Sequence, residues 1–195
     1  MSRKDPLPRR AFFTRAAGVT AALAARSGPA AAPEAVDLPG TDLDDLARAV
    51  QGVLAGKRVG KPVFVRFTLH GPGKAEDIVP LLAGMVGVVR QWVGEPLARL
   101  YAIGSPRSGQ VSLALQFHEG ASALVSFARG KPHGDGIDLL LLGNHGSICY
   151  DSGTGPAWDG TARPGKEPPD PKLATAIERA IRSGRPVALS TGGEP

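Results

Sequence analysis

Chemistry in this chain would have to come from four histidines, one cysteine and scattered carboxylates. His133-Gly134-Asp135-Gly136-Ile137-Asp138 places one imidazole and two carboxylates in a short stretch, donor types that divalent cations accept. The spacing matches no established ligand pattern, and its glycines read as a polar loop, so no metal site is assigned. His145 in Gly143-Asn144-His145-Gly146 has the composition of a turn and is read as a turn residue rather than a catalyst. His70 directly precedes Gly71-Pro72-Gly73-Lys74. Glycine-rich backbone at a helix start can present N–H groups to an anion, so His70, Gly71, Gly73 and Lys74 are the candidate ligand-binding residues, for an anion or a sugar. The competing reading is a plain strand-to-helix turn. No Ser/His/Asp constellation can be argued, and no catalytic, metal or cofactor-binding residue is assigned. Cys149 stands alone, which excludes an intramolecular disulfide and a cysteine-based zinc site.

The elements that must hold these residues alternate helix and strand, then become mostly strand. Thr41 caps a predicted helix from Asp42 to about Leu54, with Leu43, Leu46, Val50 and Leu54 as its apolar stripe and Gly56 as its stop. Val63 to Leu69 has the strand period, with Val63, Val65, Phe67 and Leu69 on one face. The longest predicted helix runs from about Ala75 to Val93, with Ile78, Leu82, Met85, Val89 and Trp92 aligned. Gly84 and Gly87 inside it each cost about 1 kcal/mol relative to alanine, and are therefore expected to serve close packing. Strands follow at Leu97–Ile103, Val111–Phe117, Ser122–Ala128, Ile137–Leu142 and Ser147–Asp151, with turns at Glu119-Gly120 and at 143–146. Asp170-Pro171 starts a last helix that ends before Gly184, and Pro186 to Leu189 closes the ordered part. The expected architecture is α+β, an open-faced, predominantly antiparallel sheet with helices packed on one face. A Gly/Pro-rich stretch at 152–169, containing Trp158, is expected to be a long loop.

At the N-terminus, Arg9-Arg10-Ala11-Phe12-Phe13 precedes a short apolar run from Ala16 to Ala25 and the small residues Ala30-Ala31-Ala32. Basic, apolar and small regions in that order resemble a signal peptide, and Arg9, Arg10, Phe12 and Phe13 resemble the twin-arginine (Tat) export motif. Residues 1–35 are therefore expected to be signal and linker, and 36–195 one α+β domain. Export folded, through the Tat machinery, and a periplasmic location are the implied fate. The apolar run is shorter than the roughly 20 residues that span a bilayer. The whole chain carries 23 Lys+Arg against 18 Asp+Glu, but residues 1–32 hold six of the bases and one of the acids. The rest is charge-balanced, so a nucleic-acid partner is not expected.

The order of motifs resembles the C-terminal substrate and oligomerisation domain of the Gfo/Idh/MocA family, which includes glucose–fructose oxidoreductase and inositol dehydrogenase. The residues that carry this are Gly56 to Val63, Trp92-Val93-Gly94-Glu95-Pro96, Gln116-Phe117-His118-Glu119-Gly120-Ala121, Leu140 to Ile148, and Ala176 to Val187. The resemblance implies a sheet whose open face makes oligomer contacts. Enzymes of that family also carry an NAD(P)-binding Rossmann domain, and no Rossmann domain is expected here. The stretch between the linker and Asp42 is too short for even one βαβ unit of about 30 residues, and no G-x-G-x-x-G occurs. The family's catalytic lysine lies in a Glu-Lys-Pro segment of that domain. Gly60-Lys61-Pro62 and Gly130-Lys131-Pro132 lack the glutamate. The family's catalytic His and Asp fall, by counting back from Gly94, on Gly84 and Gly87, which cannot move a proton.

The reading is thus a non-catalytic binding or assembly module. Its expected partners are further copies of itself or a Gfo/Idh/MocA-type chain on the open sheet face, with a carbohydrate as an expected ligand class. The alternative is the accessory part of a sugar or polyol oxidoreductase. In that case NAD(P) would be held by another chain, since no cofactor is expected in this one.

Overall fold

The computed structural model describes residues 34–35, 43–129, 136–151 and 170–189. Thr41, the arginine–phenylalanine motif at 9–13, His133, Asp135, Lys131 and the 152–169 stretch with Trp158 lie outside the described residues.

Strands β1 (Glu34–Ala35), β2 (Pro62–Gly71), β3 (Leu97–Ser105), β4 (Gln110–Phe117), β5 (Ser122–Arg129), β6 (Gly136–Gly143), β7 (Ser147–Asp151) and β8 (Val187–Ala188) form one sheet. Their spatial order is β1-β7-β6-β2-β5-β4-β3-β8. Most neighbours are antiparallel, but β2 runs parallel to β5 and β1 parallel to β7. The sheet is therefore a mixed one in which hairpin-like pairs flank a central parallel contact, and β2 sits between β5 and β6. Helices α1 (Leu43–Ala55), α2 (Ile78–Val93) and α3 (Pro171–Ser183) accompany it. The α+β architecture expected from the periodicities is the one observed.

The core forms where two periodicities meet. Along β4, Val111, Leu113, Leu115 and Phe117 are buried while Gln110, Ala114 and Gln116 are exposed, the period-2 signature of a sheet with one covered face. Against the neighbouring strands β2 and β5 lies α2, whose Ile78, Leu82, Met85, Val86 and Val89 are fully buried. Burying each such side chain contributes about 1.5–3 kcal/mol. Trp92 anchors the far end of α2. Its ring lies 5.6 Å from Phe67 of β2, and its Nε1–H donates to the Ala47 carbonyl of α1 at 3.2 Å. That bond satisfies the indole donor in a side chain only 3 % exposed.

Helix ends obey local chemistry. The Asp170 carboxylate accepts from the Lys172 N–H at 2.9 Å, Pro171 occupies the first turn, and Gly184 closes α3 with φ 59°. Gly94, with φ 71°, closes α2 in the same left-handed way.

Three local expectations are corrected. Residues Ala75–Asp77 form a 3-10 turn, so α2 proper begins at Ile78. Gly56 ends α1 as expected, and the left-handed residue that follows it is Lys57, at φ 58°. Val63 does not join Val65, Phe67 and Leu69 in the core but is 46 % exposed. The pairing of β2 with β6 slips between Pro62 and Phe64, and such a bulge shifts the alternation by one residue. Gly87 does not mediate close packing, since a Cβ built there meets no atom within 4 Å.

Candidate functional site

Three places gather chemistry. The first is the sheet face that the helices leave open. Cross-strand register puts Arg66 of β2 between Leu140 of β6 and Leu124 of β5, followed by Ala114 of β4 and Tyr101 of β3. One pleat away, Phe64 lies between Leu142 and Ser122. Leu142 is 37 % exposed, and Ile103 of β3, at the other side of this face, is 59 % exposed. Phe64, Leu124, Leu140 and Tyr101 are half-buried. Polar partners punctuate the face: Arg66 Nη2 donates to both Asp138 oxygens at 3.1 and 3.2 Å, and Ser126 Oγ donates to Ser112 Oγ at 2.9 Å. The result is a surface with apolar patches, at whose centre Arg66 is paired with Asp138.

The second place is the end of β2, where sequence reasoning located its candidate ligand residues. His70 is half-buried, and its Nδ1 is enclosed without a hydrogen-bond partner. Gly71 is buried, and a Cβ at Gly73 would approach Phe127 to 3.3 Å. The Lys74 N–H donates to Asp77 Oδ2 at 3.3 Å. The backbone donor at Lys74 is therefore occupied by the chain's own carboxylate, and Glu76 stands beside it.

The third place was not found by sequence reasoning. Lys61, just before β2, points its ammonium at two glutamates from elsewhere in the chain. Its Nζ lies 2.6 Å from Glu119 Oε2, in the β4–β5 turn, and 3.0 Å from Glu95 Oε1, just after α2. The Glu95 side chain is only 3 % exposed. Its Oε2 accepts from the Glu119 N–H at 3.0 Å. Its Oε1 has no aligned hydrogen bond, so the Lys61 charge compensates it by proximity. The hydrogen bond to Glu119, and after it the close approach of Glu95, holds the Lys61 ammonium above its ordinary range, and the contact with Lys61 holds the Glu119 carboxyl below its own. An ammonium kept protonated is a poor nucleophile or base, so this group ties segments together. Gly60-Lys61-Pro62 lacks an adjacent glutamate in sequence, and the fold supplies two.

The 143–146 turn docks beside Lys61. Asn144 Oδ1 accepts from the Lys61 N–H at 2.9 Å, while the His145 N–H donates to the Val59 carbonyl at 3.0 Å. His145 is thus a turn residue with its backbone committed. Asp138, the described carboxylate of the 133–138 stretch, is committed to Arg66. Among the described residues no group of three or more His, Cys, Asp or Glu is placed to hold a metal. Gly84 and Gly87 both fall within α2 and bring no titratable side chain to it.

No protein-family profile matches the chain, and no curated protein matches it. Solved structures do. A putative myo-inositol dehydrogenase from Sinorhizobium meliloti superposes with a TM-score of 0.57 at 16% identity, covering 74% of this chain and 62% of that one. Myo-inositol 2-dehydrogenase from Lactobacillus plantarum gives 0.55 at 15%, covering 74% and 61%. A myo-inositol dehydrogenase from Corynebacterium glutamicum gives 0.55 at 13%, covering 75% and 62%. The chain therefore spans about three fifths of the length of the dehydrogenases it matches. At these identities the likeness is one of fold alone: an α+β domain with a mostly antiparallel open sheet, shared with part of these inositol dehydrogenases.

Proposed function

We propose that this chain is an exported, non-catalytic binding or assembly module that uses the open sheet face to join a second copy of itself or a Gfo/Idh/MocA-type chain. The observation that carries the reading is the open face itself. Phe64, Leu124, Leu140, Leu142, Tyr101 and Ile103 leave apolar surface on a face whose central Arg66 is paired with Asp138, a composition suited to self-complementary packing. The absence of catalysis is argued from residue identity, since glycines stand at positions 84 and 87, where the resembling enzymes carry their His and Asp. Export rests on the arginine–phenylalanine motif at 9–13 alone.

The test is the native mass of the tagged chain from the exported fraction of its own cells, with co-purifying proteins identified. A discrete homo-oligomer without nucleotide, reduced to monomer by Ile103→Glu with Leu142→Arg, supports the reading. Monomer in the unsubstituted protein sinks it. A stoichiometric complex with a Rossmann-containing, nucleotide-bearing chain replaces it with the accessory-subunit reading. Under that reading a neutral polyol suits His70, Gly71, Gly73 and Lys74 better than an anion, because Glu76 and Asp77 already bring negative charge there.

A further inference from the structure

Beside α3, at the end of the sheet formed by β8, runs an open groove of about 440 Å³. Its floor is apolar, with Ala176 and Val187 buried and Leu189 half-buried. Lys172 and Arg179 stand along its helical wall, on the stripe that also carries Ala176. No aspartate or glutamate lines it, and no ion pair joins Lys172 or Arg179 to another described residue. Lys172 also sits in the first turn of α3, where the helix dipole is already positive and no acidic side chain follows the cap. Among the described residues, the groove therefore sets Lys172 and Arg179 over an apolar floor with no carboxylate in its lining.

Among the described residues the edge beside it is also unpaired. β8 is terminal in the sheet, and among the described residues it bonds only to β3. The Leu189 N–H donates to the Ala98 carbonyl at 2.9 Å, so in an antiparallel ladder the preceding residue, Ala188, turns its N–H and C=O outward. An extended chain laid along this edge would meet those groups with its backbone and the groove with alternate side chains. A small molecule would not be enclosed here, because ligand pockets cover about 70–90% of their occupant and this groove is open. Two cations are too few to retain a nucleic-acid backbone, whose affinity comes from many phosphate contacts.

We propose that the α3–β8 groove docks an extended acidic segment of a partner protein, which adds to the β8 edge at Ala188. The segment sets apolar side chains against Ala176, Val187 and Leu189 and its carboxylates at Lys172 and Arg179. This surface is separate from the open sheet face, so the proposal stands or falls independently of the assembly reading.

The full chain is titrated, at low salt, with the fluorescein-labelled acetylated hexapeptide Glu-Val-Glu-Leu-Glu-Val and with its charge-reversed counterpart Lys-Val-Lys-Leu-Lys-Val. Anisotropy should saturate with the acidic peptide and show affinity at least about tenfold weaker for the basic one. The double substitution Lys172→Glu with Arg179→Glu, both exposed and so expected to leave the melting temperature unchanged, should weaken the acidic peptide by about tenfold or more. N-methylation of alternate amides in that peptide should abolish strand addition and weaken it similarly. No saturable binding of the acidic peptide, equal affinity for the two peptides, or affinity unchanged by either the charge reversal or the N-methylation overturns the proposal.

Discussion

Lys61 Nζ lies 3.0 Å from Oε1 of Glu95, a carboxylate that is almost wholly buried, although the two residues belong to segments separated by β2 and α2. Glu95 has one oxygen on the Glu119 N–H and the other against Lys61, so this carboxylate fastens the approach to β2, the end of α2 and the β4–β5 turn together. A buried carboxylate costs desolvation energy, and compensation requires both hydrogen bonding and an opposite charge.

Lys61→Met should accordingly lower the melting temperature, because it leaves Glu95 buried beside an apolar tip. Adding Glu95→Gln should recover part of the loss by removing the stranded charge while keeping an acceptor for the Glu119 N–H. Thermal unfolding of the two single variants and the double variant reads the coupling directly. Additive losses would show that the pair is not coupled.

The same tie sets a pH dependence. Glu119 is held below its ordinary value of 4.5, so its contribution is complete above that value and is lost as pH falls through the lower folded value. Lys61 is held above 10.5, so its contribution is complete below that value and is lost as pH rises through the higher folded one. The stability difference between the natural protein and Glu119→Gln should therefore be flat between these limits and shrink toward zero in acid. Urea midpoints across the acid range measure this, and a difference that grows on acidification would contradict it.

Two glycines should respond in opposite directions to alanine. At Gly87 the added methyl meets open space within α2, so Gly87→Ala should stabilise by about 0.5–1 kcal/mol through helix propensity. At Gly143 the methyl would lie 2.1 Å from the Val59 carbonyl oxygen, and the two strand-end segments would have to part. Gly143→Ala should destabilise by about 1–3 kcal/mol. Denaturant unfolding of both variants decides the matter.

Phe67 is fully buried and packs on Trp92, so Phe67→Ala should cost about 3–5 kcal/mol. The nearest readout is tryptophan fluorescence, which should shift to the red in the folded variant as the emptied site admits solvent toward Trp92. An unshifted spectrum with unchanged stability would mean that the ring contact is not formed.

The strands were legible wherever a local period sufficed. Alternation along Val111–Phe117 and Ser122–Ala128 marked their spans and buried faces, and Asp170-Pro171 and Gly184 bounded α3 because capping is chemistry between near neighbours. Val63 was misplaced because a bulge is a property of two paired strands, invisible in either alone. Gly87 was misjudged because propensity states its cost in a helix but not what stands opposite it.

By itself, then, the sequence determined most of the elements, the covered face of β4 and the α+β class, since these follow from side-chain periodicity and from backbone preferences at caps and turns. Tertiary structure alone decided the strand order, the parallel pairing of β2 with β5, the two glutamates brought to Lys61 and the groove between α3 and β8. Each of these depends on contacts between residues far apart in the chain, which form only when burial of the shared core outweighs the entropy of closing long loops.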